Sequence, residues 1–117
     1  MLSFPSSLKV FIALDAIDMR AGINTLHALV AERLKENAQS GALFVFTGKR
    51  RGLIKILYWD GTGMWMISKR LEKGTFFWPL ATADGQTKLE LRAEAFCMLT
   101  DGIDMHSAKL RGWYERG

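Results

Sequence analysis

Apolar positions along the chain recur with two different periods. Leu8 to Leu14 is a compact apolar run that follows Pro5 and two serines, and it reads as a strand. Ile23, Leu26, Val30 and Leu34 then recur at spacings of three and four, while Glu32, Arg33, Lys35 and Glu36 fall mostly elsewhere on the helical wheel. This spacing predicts an amphipathic helix that ends between Asn37 and Gly41. The Asp18 carboxylate suits its N-cap, since it can accept from free backbone N–H groups, although Gly22 and Asn24 weaken the first turn and allow a start near residue 22.

The period shortens after Gly41. Ala42 to Thr47 is dense in β-branched and aromatic residues and reads as a strand, followed by the glycine-bracketed loop Gly48-Lys49-Arg50-Arg51-Gly52. Leu53 to Trp59 and Met64 to Leu71 are two further strands around Asp60-Gly61-Thr62-Gly63, a sequence suited to a tight hairpin turn. Thr75 to Trp78 predicts a short strand stopped by Pro79, and Thr87 to Leu91 another. Leu91, Ala95, Met98 and Leu99 share one face of a short helix that stops at Asp101-Gly102. The expected class is α+β: an antiparallel meander of five to six strands with two helices, one compact domain over residues 1–103, and a tail over 104–117 with little to hold it in order.

Alternation divides the hairpin. Ile54, Ile56 and Tyr58 share a face with Trp65, Ile67 and Lys69, which reads as core. Lys55, Leu57 and Trp59 share the other with Met64, Met66, Ser68 and Arg70. A sheet with helices on one side leaves its second side to water or a partner, and this mixed face is the candidate for that side. A tryptophan in such a strand also serves as ordinary core, so Trp59 carries both readings.

Composition changes the picture in one respect. The 117 residues carry a formal charge of +4 and a pI of about 9.5, and the excess is local. From Lys49 to Trp78, seven cations face two acids, a net of +5, while the rest of the chain carries nine cations and ten acids, a net of −1. Lys49, Arg50, Arg51, Lys55, Lys69, Arg70 and Lys73 are therefore the candidate phosphate-contacting residues, and Trp59 a candidate for stacking on unpaired bases. Cys97 stands alone, which excludes an internal disulfide framework, and it reads as core. The N-terminal apolar run is too short, and too close to Lys9 and Asp15, for a signal peptide, and no stretch approaches a membrane span, so the expectation is a cytoplasmic protein without a membrane partner.

Candidate chemistry is sparse. His27, His106 and Cys97 match no metal-ligand spacing, and neither a phosphate-cradling glycine loop nor a nucleophile elbow is present in the sequence. Asp18 reads as a cap, Asp60 and Asp84 as turn residues, and Asp101 as a helix-end residue, which leaves a metal-dependent nuclease as a remote reading. No catalytic residue, metal or cofactor is expected.

Asp18-Met19-Arg20, the run GALFVF at 41–46, and the block from IKILYWDGTGMW through KRLEKG to Trp78-Pro79 occur in this order. In these motifs the chain resembles the TnpB accessory proteins, also described as transposase Orf-two-like, of the IS-sixty-six family of insertion sequences. The resemblance implies a small non-catalytic protein that supports transposition beside a separate, larger transposase carrying the catalytic acids. It adds Arg20, which recurs with Asp18 in the motif, to the nucleic-acid candidates. The leading expectation is an accessory protein that contacts DNA through the basic segment. The rival is an interaction module in which Trp59, Met64 and Met66 form an apolar contact for the transposase or for a second copy of the chain.

Overall fold

The computed structural model describes residues 7–103. Five strands form one sheet: β1 (Val10–Ala13), β2 (Leu43–Thr47), β3 (Leu53–Trp59), β4 (Met64–Arg70) and β5 (Lys88–Leu91), in the spatial order β4-β3-β2-β1-β5. Helix α1 (Ile23–Glu32) connects β1 to β2, and α2 (Ala93–Thr100) follows β5. The class is α+β, and the expected meander is present from β2 through β4. The sheet departs from a meander at β1, which lies parallel to β2 and antiparallel to β5. A parallel neighbour needs a crossover, and α1 supplies it.

Alternation along each strand builds two cores, one on each side of the sheet. Val10, Ile12, Leu43, Val45, Ile54 and Ile56 point to one side, where Phe76, Trp78 and the α2 residues Ala95, Phe96 and Leu99 cover them. Phe11, Ala13, Phe44, Phe46 and Leu57 point to the other, where Leu26, Val30, Leu34 and Ala38 cover them. Phe11 and Phe44 stack with ring centroids 5.7 Å apart. The helices thus lie on opposite faces, and the expected open side of the sheet does not exist at its centre. All five residues of β2 are buried, as a central strand covered on both faces requires.

Three local expectations are corrected. Asp18 does not cap α1: its Oδ1 accepts from the Arg20 backbone N–H at 2.9 Å in a separate turn, and Gly22 in an extended conformation precedes the helix. The helix also ends earlier, at Glu32, because Lys35 turns the chain at φ +55, although Leu34 and Ala38 continue the buried stripe. Thr75 to Trp78 is not a strand. The Phe76 N–H donates to the Arg51 carbonyl at 2.7 Å and the Trp78 indole to the Ala13 carbonyl at 2.9 Å, so the segment crosses the sheet as a cover. The expected tail over 104–117, with His106, lies outside the described residues.

The hairpin faces are also redistributed. Met64 and Met66 are half-buried against the α1-side core, whereas Trp65, expected in the core, is 56% exposed and Ile67 is 38% exposed. The cover provided by α2, Phe76 and Trp78 is centred on the inner strands and leaves this part of β4 bare. Trp65 is instead fixed by the turn. Asp60 Oδ1 accepts from the N–H groups of Thr62 and Gly63 and from the Thr62 hydroxyl, at 2.8 to 2.9 Å, and Oδ2 accepts from the Trp65 indole at 2.7 Å. Led by the Thr62 backbone donor and the Trp65 indole, these bonds hold the carboxyl well below its ordinary 3.8.

A folded-state pKa below the unfolded value means that the contribution of Asp60 to stability is present above about pH 4 and is lost as pH falls through the folded pKa. Asp60→Asn should therefore lower the thermal midpoint at neutral pH, and its deficit against the wild type should shrink steadily on acidification. Thermal denaturation followed at a series of pH values measures both; a deficit that grows toward acid would contradict this role.

Candidate nucleic-acid interface

Loop 48–52 is held rigidly between its strands. The Thr47 hydroxyl donates to the Leu53 carbonyl at 3.0 Å, the Arg51 N–H to the Gly48 carbonyl at 3.1 Å, and the Leu71 N–H to the Gly52 carbonyl at 3.0 Å. With the Phe76 bond to the Arg51 carbonyl, the loop is tied on both sides, and Arg51 occupies the left-handed region at φ +56. Lys49 and Arg50 are exposed at its tip and Arg51 is half-buried. Arg70, at the end of β4, pairs in register with Leu53 and so stands beside the loop.

The opposite wall comes from the segment between β1 and α1. Ile17 donates its N–H to the Thr47 carbonyl at 2.9 Å, which brings residues 16–19 alongside the loop. Between the two walls runs an open cleft of about 480 Å³, lined by Ala16 to Met19, Gly48 to Leu53, and Arg70. Gly48 is buried here for a steric reason: a Cβ at this position would lie 2.6 Å from Met19 Cγ. At the rim, the Arg20 guanidinium forms an ion pair with Asp18 at 2.8 Å. That guanidinium, together with the Arg20 backbone N–H, lowers the Asp18 carboxyl to about 2. Asp18 is thus a charged anion matched by Arg20, and the positive charge of the cleft that has no acidic partner among the described residues belongs to Lys49, Arg50, Arg51 and Arg70.

Other candidates are placed elsewhere. Lys55 is only 9% exposed, and its ammonium donates to the Ala21 carbonyl at 2.7 Å, just before α1. Lys69 donates to the Thr100 carbonyl at 2.6 Å, the last residue of α2. Both lysines join the sheet to a helix end. Lys88, absent from the sequence candidates, does the same beyond α1: it donates to the Leu34 carbonyl at 2.7 Å, pairs with Glu36 and lies over the Phe11 ring. Nothing in a lone lysine signals this, because the acceptor is a carbonyl distant in sequence. Lys73 is exposed, outside the cleft.

The aromatic candidate is also remote from the loop. Trp59 is half-buried at the turn end of β3, whereas the basic loop adjoins Leu53 at the other end. Six strand steps separate them, about 20 Å. Phosphate contact at the loop and stacking at Trp59 are therefore not one site. Cys97 is half-buried in α2, and burial pushes its thiol up, away from the reactive thiolate form. Among the described residues, no group of three or more His, Cys, Asp or Glu side chains is placed to hold a metal ion, and no helix is long and apolar enough to cross a membrane.

The sheet, its covering helices and the basic cleft define a small α+β protein with a cluster of accessible cations where the 48–52 loop meets the end of β4. The chain belongs to the family of IS66 Orf2 like proteins, whose model matches residues 8–110, and this places it among the proteins of insertion sequences. It is 42% identical over 104 residues to the uncharacterized protein y4hO of Sinorhizobium fredii (strain NBRC 101917 / NGR234), covering 89% of this chain and 88% of that one. It is 37% identical over 102 residues to the uncharacterized protein y4jC of the same strain, covering 87% and 85%. No solved structure matches the chain.

The packing of Gly48 gives a direct check on the cleft. Gly48→Ala should destabilise the fold by about 1–3 kcal/mol through overpacking against Met19. Adding Met19→Ala should restore part of that loss in urea denaturation. Strict additivity of the two changes would contradict the packing of Met19 on Gly48.

Proposed function

We propose that the protein is a non-catalytic accessory factor for transposition of its insertion sequence and that it holds DNA by the phosphate backbone, with Lys49, Arg50, Arg51 and Arg70 as the contacting residues. The observation that carries this reading is the cleft itself: four cations on two rigidly tied elements, facing one acid that already has its own arginine. Arginine and lysine so placed neutralise phosphates and release counterions, which yields affinity without base reading. The distance of Trp59 from the loop favours backbone contact on duplex DNA over stacking on a single strand. Lys73 lies outside the cleft and Arg20 is matched by Asp18, so they add only to the surrounding field, as do Lys55 and Lys69 while their ammonium groups hold helix ends. The transposase of the same element is the protein partner that this role implies.

The test is a salt series of binding to insertion-sequence end DNA and to random DNA. The wild type should bind both with a steep dependence on salt. The Lys49/Arg50/Arg51 triple alanine variant should bind more weakly, its salt slope reduced by roughly one for each phosphate that is no longer neutralised. Lys55→Met should leave the slope nearly unchanged. Undetectable wild-type binding at low salt, or a slope that depends on Lys55 and not on the loop, would overturn the proposal.

A further inference from the structure

The sheet has two edges, and they differ. β5 is short, with Lys88 and Glu90 along it, which are ordinary defences of an edge. β4 has seven residues, and among the described residues no strand pairs with its outer side. Its cations, Lys69 and Arg70, stand together at one end, and the stretch from Trp65 to Ser68 carries none. Trp65 and Ile67 lie exposed on the same face of this strand.

Hydrogen-bond parity shows which backbone groups of β4 have no partner strand among the described residues. Asp60 donates to the Gly63 carbonyl and Leu71 to the Gly52 carbonyl, and both pairs share the register of the β3–β4 ladder. Alternation between these bonded pairs turns the backbone groups of Trp65, Ile67 and Lys69 inward to β3. Those of Met64, Met66, Ser68 and Arg70 then point outward from the sheet.

We infer that β4 is the contact for a second copy of this chain, joined antiparallel about a two-fold axis through Ile67, so that the two sheets become one. In this register Met66 faces Ser68 of the second copy and Met64 faces Arg70, which satisfies all four outward residues on each strand. Antiparallel registers centred on Met66 or Ser68 keep the parity but leave one outward residue beyond the end of the strand. The two exposed Ile67 side chains meet at a non-hydrogen-bonded position, where side chains approach most closely. Trp65 lies opposite Lys69, whose aliphatic stem can face the ring while its ammonium stays on the Thr100 carbonyl. No like charges face each other, because the antiparallel arrangement sends the two Lys69-Arg70 ends apart. This self-complementarity is what selects a second copy as the occupant of the edge. The inference does not depend on DNA binding, since its residues, Arg70 excepted, lie outside the cleft.

Sedimentation velocity of the full chain over a concentration range tests it. The wild type should form a dimer, and Ser68→Pro, which removes an outward N–H while keeping the ladder to β3, should raise the dissociation constant by roughly tenfold or more. A second readout does not rely on proline being tolerated. In a Cys97→Ser background, mild oxidation should link Ile67→Cys chains into dimers, because cysteines at that paired position fall within disulfide reach, and should leave Trp65→Cys chains unlinked. A wild type that remains monomeric would overturn the inference. So would a dimer in which Ile67→Cys fails to cross-link, or in which Trp65→Cys links as readily.

Discussion

The sheet is covered on both faces, and most of the molecule follows from that. β1 and β2 are buried along their whole length, and β3 sends Ile54 and Ile56 into one core and Leu57 into the other. A charged group cannot lie in such an interior unpaired. Lys55 is the exception within β3, and its ammonium reaches the Ala21 carbonyl at the margin of α1. The other cations are displaced to strand ends and loops, which concentrates accessible positive charge at the 48–52 loop and the end of β4. Double-sided burial therefore determines where this protein can meet a ligand.

The same constraint explains what could be read from the residues alone. The five strands and two helices followed from the two periods, although Thr75 to Trp78 did not prove a strand, and the separation of Ile54 and Ile56 from Lys55 and Leu57 was correct as alternation. The sidedness was not legible, because a single hairpin does not reveal that α1 and α2 lie on opposite faces. Trp65 was expected in the core on alternation, yet the core's cover stops short of β4 and Asp60 holds the indole over the turn. The parallel pairing of β1 with β2 depends on a crossover, a topological relation that local pattern does not encode.

At the candidate site, the basic loop was legible as a cluster of cations between glycines. Its partner wall was not. Residues 16–19 arrive there through the Ile17 bond to Thr47, across about thirty residues of chain, and the reason for glycine at 48 is visible only with Met19 against it. Asp18 and Arg20 prove to be mutual partners two residues apart, which leaves Lys49, Arg50, Arg51 and Arg70 as the cleft's cations without an acidic partner among the described residues. The block YWDGTGMW, the most recognisable part of the chain, describes the other end of the hairpin: an aspartate that organises a turn and presents a tryptophan beside an open strand edge. This part of the signature and the candidate phosphate site thus occupy opposite ends of one β-ribbon, whereas Asp18, Met19 and Arg70, which also belong to the signature, line the cleft.

DNA held in the cleft between residues 16–19 and the 48–52 loop, as proposed, would touch backbone amides on both walls. The most direct measurement is an amide chemical-shift titration of the labelled full chain with a short duplex at low salt. Perturbations should concentrate at Ile17 to Arg20, Gly48 to Leu53 and Arg70, with the α2 residues quiet. Perturbations centred on Trp59, Trp65 and the hairpin turn, with the loop unchanged, would contradict it.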